Sequence, residues 1–425
     1  MKDDVLVDSG MHDNFTKGSE ILKLKNKFVI NEVFIRFLLV FVSAQFIDLL
    51  VYHYTRSFVY VSLVALFQVI FSFIFSSLSY SFKVKKTTIF LAIVLLSVSL
   101  FSFGYLYVLQ KDSILIFAVI IPALFSFLSF DLNEFKKSLL KHEIVSVFLR
   151  SMNQIGVLLT SSLFVLFSFL IDVLPTKQSL TAKFDLVRIL AVNDFYLIFV
   201  LGGFVALIYS LFFFFNSGKL ERKQIKLFNL SLFRKDPLVL LYAFFNSILN
   251  VSLIFVGPFL FLSLNYLKYR FTAVSLILSL AMVSSVISPR IVYNNLKRYG
   301  DFFVGILGIL LFLSLPIVMI FFKENLLYVT LGIYLGTLGS SIASYSFEYM
   351  LARKYRGEDF VKSKFIVHSM TTFYTALILL FSSFSLLAFP LDLIYKLLLS
   401  FTVFAFIFYI FQKFYFFRSK SSESF

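Results

Sequence analysis

Long apolar runs follow one another along this chain, parted by short polar stretches, and the runs number twelve. A helix of about 20 apolar residues, rising 1.5 Å per residue, crosses a hydrocarbon core of about 30 Å. The runs start near residues 33, 58, 88, 113, 144, 194, 238, 271, 302, 327, 365 and 392, and they divide six and six about a basic stretch, NSGKLERKQIKLFNLSLFRKD, over residues 216–236. This pattern predicts an all-α polytopic membrane protein with 12 transmembrane helices in two six-helix bundles. Its expected parts are a cytoplasmic tail (1–27), a first bundle (28–215), a cytoplasmic central loop (216–236), a second bundle (237–413) and a cytoplasmic C-terminal tail (414–425).

The composition agrees: 60% of residues are hydrophobic and 15% charged, where a soluble domain is near half and a quarter. The net charge of +16 is explained by topology rather than by nucleic acid. With the N-terminus inside, 28 Lys and Arg fall in cytoplasmic segments and 8 in outside loops, the bias that orients membrane proteins with both termini cytoplasmic. The first residues are acidic and no short apolar core precedes a cleavage site, so no signal peptide is expected. The longest outside loop, 172–193, has room for a short surface helix. There is no Cys, hence no disulfide, thiolate metal site or redox couple. The four His lack ligand spacing and no phosphate-binding Walker loop occurs, so no metal, cofactor or built-in ATPase is expected. No pair of acids and no Ser–His pair converges at depth, which argues against an enzyme. The 61 Phe residues reflect either AT-rich codons or an aromatic-lined cavity.

A charge inside the bilayer costs about 2.5–3.5 kcal/mol on insertion scales, so it needs a reason. Asp48 in the first span is the leading case. Gln45, three residues earlier, and Tyr52, four later, share its helical face, which is expected to face a central cavity. A carboxyl held out of water favours its neutral form, the property a proton carrier needs. The alternative is a hydrated Asp48 near the surface, paired with Arg56. Glu32 and Arg36, four apart, fit an interfacial ion pair. Asn246 and Asn250 share one face of the seventh span and either bind substrate or tie helices together. Gln68 in the second span and His368 in the eleventh, beside Thr371 and Thr372, present the same choice. Asp131, Glu134 and Arg150, with Glu348, Arg353 and Arg356, sit at the inner ends of spans and are candidates for cytoplasmic gate ion pairs. Gly332 and Gly336 form a close-packing signature in span ten, and Gly257-Pro258 predicts a break or kink in span seven.

The six-plus-six layout resembles the major facilitator superfamily. Span two ends in SSLSYSFKVKK, where that family has a glycine-led turn with an acid and paired cations, and span eight ends in SPRIVYNNLKRYGD at the matching place. GTLGSSIASYSFEYMLARKYRGED and FDLNEFKKSLLKHEIVSVFLRSMNQIG are similar to the macrolide-exporter and secretion-effector branch. The resemblance spans roughly residues 30 to 412. It implies that Lys85, Lys86 and Arg290 belong to the cytoplasmic latch, although Ser77, Ser81 and Val84 replace that turn's glycines and acid. It also implies a bacterial inner-membrane secondary transporter, monomeric and proton-coupled, that exports a lipophilic or amphipathic small molecule. Nutrient uptake of a sugar or nucleoside, and a degenerate fold acting as scaffold or sensor, remain as alternatives. Several polar side chains converging in the cavity would mark uptake; an apolar, plugged interior would mark a scaffold.

Overall fold

A computed structural model describes residues 27–81, 85–109, 111–138, 145–173, 194–217, 237–264, 267–354, 358–388 and 391–422, and their regular structure is helical throughout. Hydrocarbon satisfies no backbone N–H or C=O, and a helix pairs all of its own within one segment. The apolar runs therefore fold as helices: α1 (Lys27–Thr55), α2 (Phe58–Ser81), α3 (Lys86–Leu109), α4 (Ile114–Ser138), α5 (Val145–Val173), α6 (Asp194–Asn216), α7 (Pro237–Ser263), α8 (Arg270–Leu296), α9 (Phe302–Phe321), α10 (Leu326–Lys354), α11 (Glu358–Ala388) and α12 (Leu391–Ser422). Ten are long and apolar enough to cross a membrane; α4 and α12 hold the shorter apolar stretches Ile114–Ser129 and Leu393–Ile407.

Most helix starts fall within two residues of the sequence expectation. The exceptions are α1, already helical at 27 where the expectation was 33, and α11, already helical at Glu358 where the expectation was 365. Hydropathy marks the hydrocarbon boundary, and the backbone ladder continues past it through polar residues. The outside loop after Val173, most of the central loop and most of the N-terminal tail lie outside the described residues.

Three local features were not expected. α1 breaks at Ser43, whose backbone is extended (φ -63, ψ 128). A second segment starts there, with Phe46 N and Ile47 N both donating to Ser43 O at 3.1 Å. α8 and α9 run nearly end to end and part at Gly300 (φ 78, ψ 166), a conformation open only to glycine. By contrast, α7 continues as helix through Gly257-Pro258 instead of breaking there.

Helix contacts define the two bundles. In the first, α3 packs on α6 and α2 on α4; in the second, α9 packs on α12 and α8 on α10. Adding six to each number turns one set into the other, as expected for two halves related by an axis along the membrane normal. The bundles meet through α2 and α11, α5 and α8, and α1 and α7, pairs that the same operation exchanges. Large apolar side chains such as Phe215, Phe321, Leu327 and Leu387 point outward, where lipid replaces water.

Within the second bundle, α9 and α10 touch backbone to backbone. A Cβ on Gly339 would lie 2.4 Å from Phe312 N and 2.5 Å from Gly308 O. Gly332 and Gly336 do support close approach, but to the side chains of Val318 and Leu315. Gly156 in α5 faces the movable guanidinium of Arg36. Gly339→Ala is therefore expected to lower stability in detergent by about 1–3 kcal/mol, the usual range for overpacking, and Gly156→Ala by clearly less. Thermal unfolding of the two variants checks this order.

Candidate functional site

The space between the bundles holds two adjoining cavities. The deeper, of about 390 Å³, is walled by Val42 and Asp48 from α1, Ala65, Gln68, Val69, Ser72 and Phe73 from α2, and Pro122, Phe125 and Ser126 from α4. The second bundle adds Asn250, Leu253 and Ile254 from α7, and His368, Thr371, Thr372 and Thr375 from α11. The other, of about 360 Å³, shares Asn250, His368 and Thr371 and adds Tyr242, Asn246, Glu348, Leu351 and Val367. Glu348 and Leu351 lie in the last turns of α10, so the combined cavity leads to the end of the fold that carries the chain termini.

Asp48 stands two turns from the distal end of α1 and five residues past the Ser43 break. It is fully buried, and neither carboxylate oxygen has a hydrogen-bond partner. Gln68 is the polar side chain beside it; its amide Nε2 donates one N–H to Ala118 O at 3.1 Å and has a second that a small shift would bring to the Asp48 carboxylate. Two further buried oxygens without partners, Thr371 Oγ1 and Thr375 Oγ1, belong to the facing wall of α11. His368, Thr371, Thr372 and Thr375 recur at helical spacing and so form one polar stripe. His368 is exposed to the cavity, its ring 6.4 Å from that of Phe73.

The distal end is closed mainly by aromatic rings from both bundles. Tyr52 meets Phe58 at 4.6 Å and Phe261 at 6.4 Å. His53 hydrogen-bonds the Tyr107 hydroxyl at 2.6 Å and sits edge-on to Phe261 and Phe271. The guanidinium groups of Arg56 and Arg270 lie over Phe261 at 5.6 and 4.8 Å. Polar ties reinforce the closure. Ser62 Oγ in α2 donates to Leu379 O in α11 at 3.1 Å and accepts from Ser383 Oγ at 2.8 Å. Asp172 in α5 accepts from Thr272 N and Thr272 Oγ1 in α8, both at 2.7 Å.

Of the residues singled out in the sequence, Asp48, Gln68, Asn246, Asn250, His368 and Glu348 come together on the cavity wall. Asn246 Oδ1 also accepts from Ser344 Oγ at 3.3 Å, so it ties α7 to α10. Tyr52 lies away from the cavity, in the distal closure. The Glu32–Arg36 ion pair forms at 2.8 Å, with Glu32 buried and Arg36 part-buried. Lys86 Nζ donates to Ser217 O at 2.6 Å and lies over Phe214, contacts within the first bundle that do not bridge the two. Lys85 and Arg290 are exposed. The side chains of Gln45, Asp131, Glu134, Arg150 and Arg353, and residue Arg356 as a whole, lie outside what is described. The sequence reading missed Ser72, Ser126 and Thr375 because lone hydroxyls are common in membrane helices. It missed Asp172 because that residue closes a span.

The sequence matches no protein-family model and no curated protein. Solved structures do match. A nucleoside transporter, NupG, superposes with a TM-score of 0.68 at 13% identity, over 91% of this chain and 98% of that one. This protein has a transporter fold. A D-xylose-proton symporter superposes with a TM-score of 0.65 at 13% identity, over 90% and 96%. A bacterial homologue of the iron transporter ferroportin matches with a TM-score of 0.67 at 14% identity in its inward-facing state (92% and 98%). In its outward-facing state the score is 0.55 at 16% identity (91% and 98%).

The lack of native Cys makes the shape of the cavity directly measurable. In Asn250→Cys the thiol should react quickly with a polar maleimide supplied at the termini end, and slowly when the reagent is supplied only at the distal end. In Ser62→Cys, buried in the closure, it should react slowly from both sides. Labelling rates in vesicles of known orientation check this.

Proposed function

We propose that this protein is a proton-coupled secondary transporter of the major facilitator type, which carries a small polar solute by alternating access. The observation that carries the reading is Asp48: an acid inside a membrane span, on the cavity wall, with no hydrogen-bond partner. An unpaired buried charge is costly and protonation removes the cost. The bundles can then close around the site only when Asp48 holds a proton or when a solute supplies donors to it. That rule couples the movement of the solute to that of the proton.

The walls mix apolar surface with polar side chains that a polar cargo could engage. Nine of the 17 residues around the deeper cavity carry hydrogen-bonding side chains, and Phe73 and Phe125 are its two phenyl rings. Gln68, Ser126 and Thr372 already donate to backbone carbonyls, but a lipophilic cargo would leave Asp48, Thr371 and Thr375 without partners, whereas a hydroxyl- or amide-bearing one would offer them donors. This supports import of a sugar- or nucleoside-like solute ahead of export of a lipophilic compound. The latter remains the second reading, supported by the apolar patch of Val42, Val69, Leu253 and Ile254. A cavity with this lining also supports transport over a scaffold role. The positive-inside bias supports cytoplasmic termini in a bacterial inner membrane, which makes the described state inward-facing. The better match to the inward-facing ferroportin homologue points the same way. One chain supplies the whole cavity, so the proposed unit is the monomer.

The test uses proteoliposomes, an imposed pH gradient and a panel of pentoses, hexoses, nucleosides and lipophilic cations. Wild type should accumulate one polar class by up to about tenfold per pH unit for each coupled proton, and a protonophore should abolish the gain. Asp48→Asn should keep solute exchange but lose accumulation. Gradient-driven accumulation by Asp48→Asn at the wild-type level would remove Asp48 from coupling. Movement of the lipophilic cations alone would reverse the choice of cargo.

A further inference from the structure

Helix α8 has no capping group of its own. The residue before it, Tyr269 (φ -99, ψ 59), makes no side-chain cap, and the first turn of α8 carries no acid. The first N–H groups of a helix have no partner within it and form the positive end of its dipole. Here the cap comes from the other bundle. Asp172, in the last turn of α5, accepts from Phe271 N at 3.3 Å through Oδ1 and from Thr272 N and Thr272 Oγ1 at 2.7 Å through Oδ2. One step deeper along the same helix pair, Ser279 Oγ in α8 donates to Ser161 O in α5 at 3.1 Å. Any movement that parts α5 from α8 at the distal end strips α8 of its cap.

The fold has a second place where this device belongs. Each six-helix half contains two three-helix units of inverted topology. That relation carries α5 onto α2, α8 onto α11, and the distal end onto the termini end. The counterpart of Asp172 would be an acid closing α2 and facing the start of α11. Yet α2 closes in SSLSYS, without an acid. α11 begins with acids of its own, Glu358 and Asp359, so its N-terminus needs none from elsewhere.

We propose that Asp172 is a one-sided latch. It locks the distal end, and the last turn of α2 offers no acid in the corresponding place at the termini end, so the resting protein favours the state open toward its termini, and distal opening is the step that solute and proton must drive. The consequence for transport rests on the alternating-access reading; the latch itself does not.

Spin labels on the Cys-free chain test it. Lys111→Cys with Glu324→Cys reports the distal separation of the bundles, and Thr87→Cys with Arg298→Cys reports the termini end. With Asp172 intact, the distal pair should give one short population. Asp172→Ala should add a longer distal population and a shorter one at the termini end. The ratio of distal-open to distal-closed should rise about tenfold or more, as for loss of at least one charge-assisted hydrogen bond. Thr272→Val removes one of the three bonds and should shift the ratio the same way by less. A folded Asp172→Ala protein with unchanged distributions at both ends would overturn the latch. If that variant does not fold, Asp172→Asn and Thr272→Val decide by the same criterion. The distances are read without solute. A shifted Asp172→Ala in a protein that moves no solute keeps the latch and removes the transport reading. Transport with an unshifted Asp172→Ala does the reverse.

Discussion

A hydrocarbon core offers a polar group nothing to bond to, so each one within a span must find a partner in the protein or border a space that admits water. Most of the buried polar groups here find partners. Ser97 Oγ donates to Gly203 O at 2.7 Å and ties α3 to α6. Ser247 Oγ reaches both its own helix, at Ala243 O, and Thr371 O on α11. The Tyr209 hydroxyl donates to Asn31 Oδ1 at 2.8 Å, and Arg36 pairs with Glu32. These contacts hold each bundle as a rigid unit. A few other polar groups, such as Asn31 Nδ2, Ser168 Oγ and the Tyr395 hydroxyl, are buried without a hydrogen-bond partner inside a bundle; the acceptors of Asp48, Thr371 and Thr375 differ in that all three belong to the wall between the bundles.

The two ends of that wall are built from different physics. Rings of Tyr52, His53, Phe58, Phe261 and Phe271 seal the distal end. Ring pairs hold tilted and edge-on geometries over a range of centroid distances, so this seal resists parting in proportion to the area it covers and weakens gradually as it slides. The bonds from α8 to Asp172 are directional and fail over a short displacement. An aromatic seal excludes water while a polar tie sets the threshold for opening. At the termini end the cavity is open, and its described walls carry Asn246, Glu348 and His368, side chains that suit contact with water.

Much of this was legible in the sequence because the membrane imposes one length on every helix, so twelve apolar runs became twelve helices. Asp48 was legible for the same reason, since hydrocarbon makes an acid conspicuous. Tyr52 shows where such reasoning stops: helical period assigns a face, not a depth. Four residues along, the same face has left the cavity and meets Phe261. Lys86 was read from its place in a loop, but its long stem lets the ammonium fold back onto Phe214 and the end of α6. The Ser43 break had no signal at all, because neither glycine nor proline marks it. Asp172 read as loop charge, because the donors it meets come from a helix that starts about a hundred residues later.

Two acids of the first bundle, Asp172 and Asp48, differ in the donors each one has. Asp172 is filled: three donors converge on it, all from the opposite bundle, so it binds one state of the fold and nothing else. Asp48 is empty. An acceptor without donors is where a proton or a donor-bearing solute changes the energy most, and it lies on the short segment of α1 that Ser43 separates from the rest of the helix. A cycle needs both kinds of group. Without the filled acid the unloaded carrier loses a bias toward one open state, and without the empty one binding would lack the differential affinity that shifts it. In the proposed cycle one carboxylate sets the resting state, and the other is where cargo and proton would overturn it.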